Sequence, residues 1–190
     1  MLDPHTQHAF SEMLLAAERI REHHGWELAP DLLALFHIPM STHPDLVHSD
    51  FPVDRSVWHD PLTGHPDMPP AIALHRLADT LDSSPMRTWL RDWLHEDGRR
   101  CIGFAMVFEG WLGPVRPNYR HGDLAQAPAS ARVEARVVAA VDIDLRVYRA
   151  IRVRGAQAPT ITTWAVPPPR VRNTRVAIGL TRLVNLARSL

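Results

Sequence analysis

With 190 residues, 45% of them hydrophobic and 22% charged, the chain is long enough to bury one sizeable core, and a single domain spanning 1–190 is expected. Twenty-one arginines, with no lysine, balance twenty-one acids, so the totals exclude a uniformly basic or uniformly acidic chain. The lone Cys101 excludes an intrachain disulfide and a cysteine-cluster metal site.

Asp3-Pro4 supplies an N-cap and a first helical residue, and Phe10, Met13, Leu14, Ala17 and Ile20 then recur at helical spacing until Gly25. This predicts an amphipathic helix whose Glu18 and Glu22, four apart beside Arg19 and Arg21, read as a solvated face. Met1 to Arg21 lacks the basic start and apolar run of a secretory signal, and no stretch is long and apolar enough for a membrane span, so a cytoplasmic protein is expected. Pro30 to Phe36 reads as a shorter helix, crowded by Leu32, Leu33, Leu35 and Phe36. Between His37 and Pro69 six prolines break any continuous period, although Phe51, Val53, Val57 and Trp58 imply packing and a short strand near Asp54 to Trp58.

Two further helices are predicted, from about Pro70 to Leu81 and from a Ser84 N-cap with Pro85 at the first helical position. The first turns Ile72, Ala73, Leu74, Leu77, Ala78 and Leu81 inward; the second carries Met86, Trp89, Leu90, Trp93 and Leu94 as a core stripe that Gly98 ends. Cys101 to Val115 then reads as a central strand, with Ile102, Phe104, Met106, Phe108 and Leu112 on one side and Gly103, Ala105, Val107, Glu109 and Trp111 on the other. Both sides are mostly apolar, so a layer should cover each. A cysteine opening such a strand reads as packing rather than as a nucleophile.

Beyond a polar loop from about Pro117 to Ser130, Val133 to Ile143 alternates as a strand, with Arg136 opposite the valine and alanine row. A turn near Asp144 returns the chain through Arg146 to Val153, Thr160 to Val166 forms a fourth strand, and Pro167-Pro168-Pro169 ends it. A last helix capped by Asn173 or Thr174 carries Val176, Leu180, Leu183, Val184 and Ala187 on one face. The order defines an α+β fold: a mostly antiparallel sheet of about four strands, packed with N-terminal helices and one C-terminal helix. Residues 1–98 form a mainly helical part with the proline-rich segment 37–69, and residues 99–190 form the sheet and final helix.

The neutral total hides an asymmetry. Residues 1–131 hold ten arginines and eighteen acids, residues 132–190 eleven arginines and three acids, so the two portions carry about −8 and +8. Arginine forks suit carboxylate and phosphate, which makes Arg146, Tyr148, Arg152, Arg154, Arg170, Arg172 and Arg175 candidate partner-binding residues, with Arg149 in the same basic set and Trp164 nearby for stacking. Glu109 sits where an unpaired carboxylate is costly, and Arg136 on the next strand is its expected ionic partner. His43, His48, Asp50, His59 and His65 are candidate ligands for a divalent metal, at a spacing that matches no compact motif. Neither a phosphate-cradling GxxxxGK[ST] nor a dinucleotide GxGxxG occurs.

GFAMVFEGW at 103–111, RVEARVVAAVDIDLRVYRAIRVRG at 132–155 and HGWELAPDLLALF at 24–36 resemble small proteins of actinobacteria and their phages that have no established activity. The resemblance implies an accessory protein, and the all-arginine basic set fits a GC-rich source. The leading expectation is therefore a non-enzymatic binding protein, phage- or mobile-element-encoded, that turns its arginine-rich C-terminal third to an acidic protein partner without a cofactor. A metal-assisted hydrolase using segment 37–67 and a nucleic-acid-binding protein are the alternatives.

Overall fold

Residues 102–107, apolar and buried throughout, demand cover on both sides of whatever strand they form. The computed structural model, which describes residues 1–38, 46–59, 68–112 and 132–190, supplies that cover. Strands β1 (Asp31–His37), β2 (Leu46–Asp50), β3 (Arg100–Leu112), β4 (Val133–Asp142), β5 (Val147–Val153) and β6 (Thr160–Trp164) form one antiparallel sheet in the order β2-β1-β3-β4-β5-β6. Helix α1 (Pro4–His24) covers one face. Helices α2 (Pro70–Leu81), α3 (Ser84–Leu94) and α5 (Arg175–Arg188) cover the other, and the single turn α4 (Pro169–Arg172) leads into α5. The fold is α+β, with six strands rather than about four.

The two added strands come from the proline-flanked region. Asp31–His37, expected as part of a helix, is β1: its side chains from Leu32 to Phe36 are buried, alternately in the two cores. A leucine-rich run has no period that separates a strand buried on both faces from a buried helix, and pairing with β3 decides the matter. The short strand expected at Asp54 to Trp58 is a 3₁₀ turn over Arg55–Trp58, begun by the Asp54 carboxylate accepting from Ser56 N at 2.7 Å. Trp58 nevertheless packs in the core.

Helix α1 starts as its sequence dictates, with the Asp3 carboxylate accepting the Thr6 hydroxyl at 2.6 Å and the His5 and Thr6 amides at 2.9 Å. The Thr6 hydroxyl and amide hold the Asp3 carboxyl at about 2. Phe10, Leu14 and Ala17 settle on small residues of the sheet, Ala105, Ala140 and Ala150, and the Phe10 ring meets Tyr148 with centroids 4.5 Å apart. Gly103 lies beneath it: a Cβ there would stand 2.7 Å from Val141 O and 3.0 Å from Phe10 Cε2. On the opposite face Gly179 lets α5 close on α2, since its Cβ would come within 3.0 Å of Leu74 Cβ.

One side chain of the central strand is reversed. Ile102, assigned by strict alternation to the Phe104 side, packs on the α1 side, because pairing with β1 skips from Gly103 to Cys101 and leaves Ile102 as a bulge. The α3 stripe closes the far end, Trp93 packing edge-on to Phe36 and Phe51 at 5.6 and 5.0 Å. At α5 the Thr174 hydroxyl accepts from Ala177 N, settling the cap in favour of Thr174 over Asn173.

Candidate functional site

The antiparallel register sets Glu109 of β3, Arg136 of β4 and Arg152 of β5 in one row across the sheet, on the face beneath α1. Two guanidinium groups on adjacent strands repel unless an anion stands between them. Helix α1 provides it. Thr6, Phe10, Leu14, Glu18 and Glu22 follow one another at four-residue spacing along the helix, so the row that begins apolar ends acidic over the arginines. Glu18 is therefore not on a solvated face: it is fully buried, and it accepts Arg152 Nε and Nη2 side-on, both at 2.7 Å.

Arg136 is fully buried with every N–H used. Its Nε and Nη2 reach Glu109 Oε1 at 3.2 and 3.1 Å, Nη1 reaches Glu22 at 2.8 Å and Glu18 at 3.4 Å, and Nη2 also donates to the Gly25 carbonyl. Trp26 lies over the guanidinium, 4.5 Å from Cζ to the ring centroid. The structure thus brings Glu109 and Arg136 together, within a larger network that also fixes the turn after α1. In that turn Glu27, at φ 68°, donates its amide to Glu109 Oε2 at 2.6 Å. Arg152 ties in the β5–β6 connection by donating Nη1 to the carbonyls of Ala156 and Gln157 at 3.1 and 2.9 Å. Hydrogen bonding to Glu18 raises the Arg152 pKa above the ordinary arginine value.

Burial also corrects the partner-binding set. Arg152 and Tyr148 face inward, so neither presents itself to a partner. Tyr148 donates its hydroxyl to buried Asp142 at 2.8 Å, and burial pushes both pKa values up. Asp142 also accepts the amides of Asp144 and Arg146 and so closes the β4–β5 turn, where Leu145, at φ 64°, takes the left-handed position that usually needs glycine. Arg146 pairs with Asp144 at 2.7 Å and Arg154 with Glu134 at 2.6 Å.

Arg170, Arg172 and Arg175 are exposed and make no ion pair among the described residues. Arg149, part of the same basic set in the sequence, joins them. It is partly buried on β5, likewise without a carboxylate partner among the described residues, and its guanidinium lies over the Trp164 ring at 5.2 Å. Burial lowers its pKa below the ordinary arginine range, and the Arg170 cation lowers it further. Its signal in the sequence was the alternation of β5, which places Arg149 on the opposite face from Arg152.

No family model, curated protein or solved structure matches the chain. His48 and Asp50 are exposed on β2 and His59 follows the 3₁₀ turn, while His43 and His65 lie outside the described residues. Among the described residues no three histidine, cysteine or acidic side chains are grouped to hold a metal ion. A cleft of about 390 Å³ is lined by His95, Arg100, Cys101, Asp144 and Arg188, but burial pushes the Cys101 thiol up to about 12, far from a thiolate. A second cleft, about 290 Å³, holds Arg21 already paired with Asp31 at 2.7 Å. No described helix is long and apolar enough to cross a membrane.

Proposed function

We propose that this is a non-enzymatic binding protein whose C-terminal arginines, Arg149, Arg170, Arg172 and Arg175, receive an acidic partner beside Trp164. The observation that carries the reading is a division among the arginines of residues 132–190. Arg136, Arg146, Arg152, Arg154 and Arg182 all meet carboxylates of the same chain. Arg149, Arg170, Arg172 and Arg175 meet none among the described residues, nor does Arg188 at the end of α5, and all but Arg149 are exposed. Arg149 and Arg170 lie close enough for one cation to act on the other, and neighbouring cations left uncompensated among the described residues favour an anionic surface in a partner. The guanidinium of Arg149, held over an indole, has lost part of its hydration and rotamer freedom in advance, which lowers the cost of engaging a carboxylate.

The test is fluorescence anisotropy of labelled polyglutamate against the protein at low and high ionic strength, with labelled single-stranded DNA in parallel. Binding that weakens with salt is expected, lost in an R149E/R170E double variant and kept in R91E, a charge reversal on α3. Equal loss in R91E, or no binding of polyglutamate, overturns the proposal. Preferential DNA binding would assign the surface to nucleic acid instead.

A further inference from the structure

Strand β6 lies at the end of the sheet order, paired on one side with β5. Edge strands in stable proteins are usually guarded by a charged side chain, a proline or a bulge, because an open edge recruits other chains. The run from Thr160 to Val166, TITTWAV, bounded by Pro159 and Pro167, contains none of the three within it: no charge, no proline, and an unbroken register with β5 from Ile151↔Thr160 to Val147↔Trp164. Thr160, Thr162 and Thr163 are exposed, and Val166, just beyond the strand, is 87% exposed. The run consists almost entirely of β-branched and aromatic residues, the types that fit a pleated ladder. The opposite edge, β2, differs in carrying His48 and Asp50.

The edge that the described residues leave open and the arginines that they leave unpaired meet at one place. Arg149 stands opposite Thr162 in the register, and its guanidinium reaches across to lie over Trp164, a residue of the edge strand itself. The cation thus lies over the edge strand rather than over the middle of the sheet. A chain added outside β6 would run about 4.8 Å beyond it, with alternate side chains on the Thr162 and Trp164 face within reach of that cation.

We infer that β6 is a docking edge for an extended acidic segment of another protein, which adds to the sheet as a seventh strand with carboxylates at alternate positions beside Arg149 and Arg170. The backbone ladder supplies the affinity, and the two guanidinium groups select acidic side chains on one face. Ile161 and Thr163 point to the other face, where Ile161 packs against the core beneath α1, so the residues between the carboxylates are apolar. This inference rests on the proposed acidic-partner surface and adds the geometry of the partner.

The test compares a labelled peptide of alternating glutamate and valine with a block peptide of the same composition, read by anisotropy and by residue-resolved amide hydrogen exchange of the complex. The alternating peptide is expected to bind more tightly than the block peptide, to protect alternate amides within 160–166, and to lose about tenfold in affinity with R149E. T162P and T163P, whose amides point to opposite sides of the strand, separate the two edges: the one that removes an outward donor abolishes peptide binding while the melting temperature holds. Equal binding of both peptides without protection of β6 overturns strand addition but leaves the acidic-partner reading standing. Absence of binding by either peptide overturns both. Protection of β6 that grows with protein concentration in the absence of peptide, alongside dimerisation, would give the edge to a second copy of the chain and overturn the inference.

Discussion

Replacing Glu18 with glutamine keeps the shape of the side chain and removes one charge from the centre of the network. Both carboxylate oxygens accept from Arg152 at 2.7 Å, so either amide orientation sets an NH₂ against a guanidinium N–H, beneath a side chain that solvent does not reach. Arg136 keeps Glu22 and Glu109, but Arg152 keeps one bond to the surviving oxygen of residue 18, the Ala156 and Gln157 carbonyls and, as its one remaining carboxylate among the described residues, a distant Glu22 oxygen at 3.8 Å. Leaving a buried charge uncompensated costs about 3–5 kcal/mol. Glu109→Gln is the internal comparison. The Glu109 side chain is 12% exposed and Arg136 retains two other carboxylates; an amide that keeps its oxygen towards Arg136 opposes only the Glu27 N–H, in an exposed turn, so the cost falls to about 1–2 kcal/mol. Urea unfolding followed by circular dichroism measures both, and unchanged slopes would show that the midpoints report stability. For a domain of this size the difference corresponds to a melting-temperature gap of roughly 5–10 °C. If E18Q is no more destabilising than E109Q, burial does not govern the network and the argument fails.

Three further outcomes follow from the geometry. Gly103→Ala drives a methyl group to 2.7 Å from Val141 O beneath Phe10, and thermal unfolding should show a loss of about 2–3 kcal/mol, against little change for Gly110→Ala, where nothing lies within 4 Å. The Cys101 thiol, pushed by burial up to about 12 against an ordinary 9.0, should react with iodoacetamide at pH 8 roughly thirtyfold more slowly than a free cysteine, the smaller thiolate fraction outweighing the greater nucleophilicity; ordinary reactivity in the folded protein would refute it. Asp3 should titrate near 2 by NMR rather than at 3.8, and Thr6→Ala should move it back up. Because the folded value lies below the unfolded one, the N-cap contribution is present above pH 3.8 and is lost as pH falls through about 2. Unchanged helix content across that range in the wild type would refute it.

The fold was legible where periodicity and punctuation agreed. Asp3-Pro4 and Gly25 bracket α1, Pro70 opens α2, and the alternation of Val133 to Asp142 defines β4. Leu32 to Phe36 lacked such a period, since a strand buried on both faces shows only a hydrophobic run. Leu46–Asp50 is short and polar, and becomes a strand only because β1 offers it a ladder. The Glu109–Arg136 pair was legible because both lie on neighbouring strands. Glu18 was not, because its partners are more than a hundred residues away and helical spacing alone puts a glutamate on the polar side.

The charge asymmetry of the chain takes on a different meaning once these contacts are placed. Arg136, Arg152, Arg154 and Arg182, from the basic portion, reach Glu18, Glu22, Glu27, Glu109 and Asp79, from the acidic one. Much of the −8 and +8 division is therefore a device of folding, binding α1 and the turn after it onto the sheet. Whether a given arginine serves the fold or a partner depends on the face of β5 from which it leaves. Arg152 points under α1 to a waiting carboxylate; Arg149, three residues earlier, leaves on the other face and finds an indole at the edge of the sheet. A charge count cannot separate these two roles, because both residues contribute the same +1. The register separates them, and it moves the proposed partner surface from the centre of the arginine-rich third to its rim, where Arg149 lies over β6 with Arg170 near it.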